Sequence, residues 1–248
     1  MSGKYSDKVA VITGGAKGIG KAVASRLVSG GASVVIGDIN EKLGQLAADE
    51  IGCKYVFCDV SIENDNRKLI QYAIDTFGGL DIVHLNAGIA SGVTFGNENT
   101  IEAYKKITSI NLDGVVYGMD AAITQMLKLN GGKIIATASI AGLMGLSLDP
   151  FYTVTKHGVV GLVRAVGPNY LSDKRIEINA LCPSFVDTDI IAMAKEFLVQ
   201  ANFPILDVSD VADTFEQILE SNQSGNCWYV IPGRASEPFN FRNIPGPQ

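Results

Sequence analysis

Two stretches of this sequence carry residue types at spacings that chemistry could use. In the first, the apolar run Val9, Ala10, Val11 and Ile12 leads into Thr13-Gly14-Gly15-Ala16-Lys17-Gly18-Ile19-Gly20, and a helix-period pattern follows. Strand, glycine loop and helix in that order make a cradle for a dinucleotide pyrophosphate. The glycines permit a tight turn and close backbone approach, and the helix N-terminus offers unpaired N–H groups at the positive end of its dipole. In the second stretch, Tyr152 and Lys156 stand four residues apart, so on a helix they share one face. An ammonium beside a phenol favours the phenolate. Oxidising a secondary alcohol removes a hydroxyl proton and a hydride from the same carbon; a phenolate accepts the first and a nicotinamide the second. A free phenol titrates at about 10, and bringing it to about 7 takes roughly 4 kcal/mol of differential interaction.

A third feature bears on the cofactor. The run at 33–36 ends in Gly37-Asp38. An acidic residue about 20 positions past a glycine loop can bond the adenosine ribose hydroxyls. The same carboxylate repels a 2′-phosphate, so Asp38 selects NAD over NADP. Lys17 is the one cation within the loop that could favour NADP. Taken alone, Asp38 could equally cap the helix after it.

These groups need elements to hold them. Apolar runs at 9–13, 33–36, 55–58, 82–85, 133–137, 177–181 and 228–231 alternate with helix candidates near 18–29, 42–51, 64–77, 101–129, 152–171 and 208–219. Such alternation predicts βαβ units: a single α/β domain of Rossmann type with a doubly wound, seven-stranded parallel sheet. Ligand then lies at the carboxyl ends of the strands. The domain is expected to span 1–232. Residues 233–248, crowded with Pro238, Pro245, Gly246 and Pro247, form a C-terminal arm that is either frayed or laid on a neighbour. The 248 residues carry 20 basic and 26 acidic side chains, net −6, which argues against nucleic acid or an anionic membrane as partner. Met1 to Lys8 lack an apolar signal core, and no apolar stretch is long enough for a bilayer. Cys53, Cys58, Cys182 and Cys227 form no CxxC pair and there are two histidines, so no metal site is expected; isolated thiols fit a reducing cytoplasm.

Further motifs fall between these elements. Asn86-Ala87-Gly88 follows the fourth strand run. Asn111 lies in the long helix candidate, and Ser139 ends the fifth strand run, thirteen residues before Tyr152. Pro183-Ser184-Phe185-Val186-Asp187-Thr188 follows the sixth. Together with the Gly14, Gly18 and Gly20 spacing, this ordered set resembles the short-chain dehydrogenase/reductase family across residues 8–231. Within it, Ser139 to Met144, the Pro150-Phe151-Tyr152 approach and Lys156-His157-Gly158 resemble the 15-hydroxyprostaglandin dehydrogenase-like members. The resemblance implies that Gly14, Lys17, Gly18, Ile19 and Gly20 surround the pyrophosphate and that Asp38 holds the adenosine ribose. It places Asp59 and Val60 at the adenine, Asn86 and Ala87 along the adenosine side, and Val186 and Thr188 at the nicotinamide amide. It makes Asn111, Ser139, Tyr152 and Lys156 a catalytic tetrad, with Lys156 also on the nicotinamide ribose and Asn111 anchoring a water that carries the proton onward. It further implies a homodimer or homotetramer. The family's Asn-Asn-Ala-Gly reads Leu85-Asn86-Ala87-Gly88 here, which places sheet stability in question, and its Pro-Gly reads Pro183-Ser184.

Between Ser139 and Tyr152 lie Leu143, Met144, Leu146, Leu148 and Phe151; Phe185, Ile190, Ile191, Met193, Phe197 and Leu198 follow the sixth run. An apolar wall suits a lipophilic alcohol or ketone, and equally ordinary core. Met144 and Phe185 are taken as pocket residues. Asp149 is the one charge placed to select a polar group on the substrate, or else to start the Tyr152 helix with Pro150 in its first turn. The expected function is thus an NAD(H)-dependent oxidoreductase for a lipophilic secondary alcohol. An NADPH-dependent carbonyl reductase of ketoacyl type and a dinucleotide sensor without catalysis are the rival readings.

Overall fold

In the computed structural model, which describes residues 3–242 (for Met193 the backbone only), strands and helices alternate along the chain. The first half runs β1 (Val9–Thr13), α1 (Gly18–Ser29), β2 (Ser33–Asp38), α2 (Glu41–Ile51), β3 (Lys54–Phe57), α3 (Glu63–Phe77) and β4 (Ile82–Leu85). The second runs α4 (Thr100–Thr108), α5 (Gly114–Met126), β5 (Gly132–Thr137), α6 (Pro150–Leu171), β6 (Ile176–Pro183), α7 (Ala192–Gln200), α8 (Val208–Glu220), β7 (Cys227–Val230) and β8 (Glu237–Pro238). The strands form one sheet in the order β3-β2-β1-β4-β5-β6-β7-β8, and the first seven pair in parallel. Chain order reverses between β1 and β4. The carboxyl ends of the strands open a crevice there.

Each strand feeds two cores because successive side chains point to opposite faces. On β1, Val9 and Val11 join Leu69, Ala73, Met119, Met126, Val159 and Val163, the inner faces of α3, α5 and α6. Ala10 and Ile12 join Val23, Leu27, Ala47, Phe215 and Ile218, from α1, α2 and α8. Helices thus cover both faces, which is why the central strands read as unbroken apolar runs. No helix among the described residues is long and apolar enough to cross a membrane.

Three features depart from the sequence pattern. The stretch expected as one helix over 101–129 is α4 and α5 joined by a π-helical turn, Ser109–Asp113. Helical periodicity continues through the turn, so apolar spacing alone does not reveal it. The apolar residues after the sixth strand run fall partly in a helix the pattern does not predict, α7. The seven parallel strands gain an eighth: β8 pairs antiparallel with β7 through Trp228↔Pro238 and Tyr229↔Glu237. The described part of the arm therefore folds onto its own chain. The Phe239 N–H bonds the Cys227 carbonyl, and the Thr214 and Ser236 hydroxyls share a hydrogen bond of 2.7 Å. The Arg164 guanidinium stacks 3.7 Å over the Phe241 ring. A two-residue edge strand tolerates Pro238 because an edge needs no N–H from it. Residues 243–248, with Ile244, lie outside the described residues.

Deleting residues 236–248 removes this edge strand, its hydrogen bonds and the Arg164–Phe241 stack. We expect a loss of about 2 kcal/mol, and hence a thermal midpoint roughly 4–8 °C lower for a chain of this size. Scanning calorimetry reads it; an unchanged midpoint would show that the arm contributes nothing.

Candidate active site

The glycine loop has the geometry of an anion cradle. Gly14 sits at φ +64°, where a side chain is strained, and a Cβ there would stand 2.9 Å from the Ala87 Cα. At Gly20 a Cβ would stand 2.2 Å from the Gly14 carbonyl oxygen. Lys17, the N-cap of α1, donates no capping side chain, and the first turn holds no acidic residue. The helix end is left for an outside anion, as a pyrophosphate requires. Ile19 lies in this first turn, partly buried against the α1 core. Asp38, half-buried at the end of β2, accepts hydrogen bonds from the N–H groups of Ala16 (3.1 Å) and Asn40 (3.0 Å). It is not the cap of α2. Asn40 is, accepting from the Leu43 N–H. The Asp38 carboxylate therefore belongs to the loop. The residues present fit a nicotinamide dinucleotide.

The far wall of the crevice comes from the segment after β6. A Cβ at Gly18 would stand 3.2 Å from the Thr188 methyl carbon, so Thr188 touches the loop. Val186 is buried and bridges to Leu206. Lys17 pairs with Asp189, and this pairing holds the Asp189 carboxyl below its usual range. The loop cation is thus paired with the segment after β6. At the β3 end, Asp59 takes the Ser61 N–H (3.0 Å) and hydroxyl (2.7 Å), and the Val60 side chain packs under Gly114.

Asn86 joins three strands. Its side-chain NH₂ donates to the carbonyls of Thr13 (3.1 Å) and Gly14 (3.2 Å), and its side-chain oxygen accepts from the Thr137 hydroxyl (3.2 Å). Its own N–H donates to the Thr13 hydroxyl at 2.9 Å, and the N–H of Ala87 reaches the same oxygen at 3.2 Å. Thr137 has one hydroxyl proton and gives it to Asn86, so His84 Nε2, 2.8 Å away, is the donor to that oxygen. Burial pushes His84 down to about 3, so the ring is neutral. The sheet-stabilising amide that the Leu85 position lacks is therefore not missed here: Leu85 is buried in the core against Gly118, and Asn86 ties the strands.

Ser139, Tyr152 and Lys156 meet at the carboxyl end of β5. Ser139 caps the short helical turn Ile140–Gly142, with its hydroxyl accepting from the Ala141 N–H at 3.1 Å. It lies beside Tyr152 and pulls that phenol's pKa down, but burial outweighs it and pushes Tyr152 up to about 12. Lys156, 2 % exposed, donates to the Thr137 carbonyl at 2.7 Å and stands 5.4 Å from the centre of the Tyr152 ring. Burial pushes it down to about 8. A neighbouring ammonium favours the phenolate, but desolvation of the phenol outweighs it here.

One assignment changes, and the side-chain partners of another come into view. Asn111, fully buried in the π-helical turn, spends its side chain inside the protein. Its oxygen accepts from the Ile89 N–H (2.9 Å), and its NH₂ donates to the Ile89 carbonyl (2.9 Å) and the Thr155 hydroxyl (3.3 Å). Both amide hydrogens are in use, so this side chain does not donate to a relay water. Asp149 is buried and caps Tyr152, with both oxygens taken by protein donors. It is not available to a substrate.

The apolar wall divides. Met144 (60 % exposed), Leu148, Ile190 and Phe197 are open to solvent, whereas Ile191 and Leu198 are buried. Phe151 is core, packed by Phe95 at 4.9 Å and Tyr104 at 5.6 Å. Phe185 stacks edge-on against Phe203 at 5.3 Å. The Met193 side chain lies outside the described residues. Thr13, Ser91, Phe95, Tyr104, Thr137, Thr155 and Phe203 were not foreseen. All are ordinary residues whose partners lie far away in sequence. Among the described residues no three His, Cys, Asp or Glu side chains cluster as a metal site.

Comparison with known proteins follows this geometry. The chain matches the family described as short chain dehydrogenase over residues 8–198. It is 39% identical over 201 residues to a cyclohexanol dehydrogenase from an Acinetobacter species, covering 79% of this chain and 80% of the relative. It is 33% identical over 243 residues to an (S)-acetoin-forming diacetyl reductase from Staphylococcus epidermidis, covering 96% and 89%. Among solved structures, levodione reductase superposes with a TM-score of 0.85 at 26% identity, covering 93% of this chain and 98% of that one.

Asn86→Ala removes the side-chain bonds to Thr13, Gly14 and Thr137 and leaves their buried groups unsatisfied. We expect a loss of about 2–3 kcal/mol, which lowers the thermal midpoint by roughly 4–12 °C. Dinucleotide affinity should fall with it, read by NADH fluorescence titration.

Proposed function

The chain belongs to the short-chain dehydrogenase family, and from that premise we propose that it interconverts a lipophilic secondary alcohol and its ketone with NAD(H), using Tyr152 as acid and base. The observation that carries the reading is the convergence of Ser139, Tyr152 and Lys156 beside the glycine cradle, with Ser139 and Lys156 buried and Tyr152 partly so. Relatives named for cyclohexanol and diacetyl support an alcohol or ketone as substrate.

When bound, NAD⁺ would supply the hydride acceptor and a positive ring charge that favours the phenolate. Tyr152 takes the alcohol proton during oxidation and returns it during reduction. Ser139 donates to or accepts from the substrate oxygen beside it. Lys156 exchanges its bond to Thr137 for the nicotinamide ribose hydroxyls and keeps a cation near the phenol. Asn111 acts through Ile89 and Thr155, holding the segment after β4. Asp38 meets the adenosine ribose, Asp59 and Val60 the adenine, and Val186 and Thr188 the nicotinamide amide. Met144 and Phe185 line the substrate side. Pairing with Asp189 already occupies the Lys17 cation, which counts against its use for a 2′-phosphate. The intact catalytic group argues against a sensor without turnover. A homodimer or homotetramer in the cytoplasm completes the proposal.

Tyr152→Phe removes only the hydroxyl. We expect turnover to fall about 10²–10⁴-fold while NADH affinity changes little; substantial activity in the purified variant would sink the mechanism. Burial holds the Tyr152 phenol high, so the base form grows with pH. Alcohol oxidation should accelerate and ketone reduction slow as pH rises. The cofactor assignment is tested by turnover efficiency with NAD⁺ against NADP⁺. A 2′-phosphate near Asp38 is disfavoured by about 2–3 kcal/mol, a roughly thirty- to hundredfold preference for NAD⁺. Asp38→Ala should shrink the ratio. Equal use of both by the natural chain would contradict it.

A further inference from the structure

We infer that Asp149 is a positioning residue for Tyr152: its carboxylate pins the segment after β4 to the first turn of α6 and so fixes both where the phenol stands and the charge it faces. The inference rests on the dehydrogenase reading above and extends it to a residue that touches neither substrate nor cofactor.

A helix cap needs one bond. Asp149, 8 % exposed, accepts four. Its Oδ1 takes the Tyr152 N–H at 2.9 Å and the Ser91 hydroxyl at 2.5 Å. Its Oδ2 takes the Ser91 N–H at 2.7 Å and the Gly92 N–H at 3.3 Å. Three of the four donors come from a segment nearly sixty residues upstream, and no cation pairs with this carboxylate among the described residues. A buried anion satisfied by hydrogen bonds alone holds its donors tightly, because freeing any one leaves charge unsolvated.

The segment it holds leads back to the reacting groups. Two residues before Ser91, the backbone of Ile89 is gripped on both sides by the Asn111 side chain at 2.9 Å. One residue earlier, a Cβ on Gly88 would stand 3.3 Å from the Asn111 oxygen and 3.5 Å from Lys156 Nζ. Residues 88–92 thus run between Lys156 and the N-terminus of the Tyr152 helix, fastened at one end by Asn111 and at the other by Asp149. The titratable groups that face the Tyr152 phenol are Asp149 from the helix start, Lys156 from the next turn and the buried Cys182 thiol of β6; Ser139, from the end of β5, is neutral. The Asp149 charge raises the phenol's pKa in addition to burial. Removing that charge must lower it.

The test uses the full chain with NAD⁺ and the fastest alcohol from a panel of lipophilic secondary alcohols. In Asp149→Asn, kcat should fall about tenfold or more, as misplacement of a catalytic group does, with NADH affinity within about twofold. The acid limb of the kcat/KM profile should move to lower pH, which a merely structural residue would not do. Amide hydrogen exchange should accelerate at Ser91, Gly92 and Tyr152. Ser91→Ala keeps the charge and removes the hydroxyl, with its bond to Asp149 and the one it accepts from the Val93 N–H. It should lower kcat about two- to fivefold, leave the acid limb in place and loosen the Gly92 amide, and it decides the matter if Asp149→Asn does not fold. An acid limb unmoved in Asp149→Asn, or full activity with unchanged exchange in Ser91→Ala, overturns the inference. If no alcohol in the panel turns over, the dehydrogenase reading fails, while the exchange rates still decide whether Asp149 pins the segment.

Discussion

A lysine ammonium removed from water organises this site. Lys156 is 2 % exposed and gives a hydrogen bond of 2.7 Å to the Thr137 carbonyl, the last residue of β5. A buried cation with so little compensation is held high in free energy, which is why it releases its proton at about 8 instead of near its ordinary value. The same exclusion of water pushes the neighbouring Tyr152 up to about 12. Desolvation disfavours the charged form of each group. The ammonium and the phenolate therefore need each other, or a further charge from a ligand.

That burial depends on how the sheet ends. The carboxyl ends of β1, β4 and β5 are joined through Thr13, Asn86 and Thr137, with His84 beneath them as a neutral donor packed 4.7 Å from Phe215. This polar layer sits between two apolar cores. It connects the carbonyl of Gly14, in the dinucleotide loop, to the residue whose carbonyl holds Lys156. Glycine loop and buried lysine are therefore parts of one hydrogen-bonded structure. The neutrality of His84 matters here, because a second buried cation beside Lys156 would oppose it.

The parts legible in the sequence are those set by local spacing. The glycine loop, Asp38 at a strand end, and Tyr152 four residues before Lys156 each carry their geometry within a few residues. The alternation of apolar runs and helix periods likewise points to seven parallel strands with helices between them. What stayed hidden depends on distant partners. Thr13, Thr137 and Ser91 are common hydroxyl residues until the fold brings them to Asn86 and Asp149. Asn111 sits in a π-helical turn that apolar periodicity passes over, and its grip on Ile89 depends on a partner 22 residues away. Asp149 before Pro150 looks the same whether it faces a substrate or caps a helix; burial alone separates the two. β8 is two residues long and contains a proline, which hides it among turn residues.

The central claim is that this arrangement moves a hydride directly between a carbinol carbon and a nicotinamide. Incubation of the purified chain with NAD⁺ and a secondary alcohol such as cyclohexanol, deuterated only at its carbinol carbon, followed by mass analysis of the dinucleotide, tests it most directly. The account predicts reduced dinucleotide carrying that one deuterium, with ketone formed in equal amount. Reduced dinucleotide without the label, or label lost to water, would contradict it.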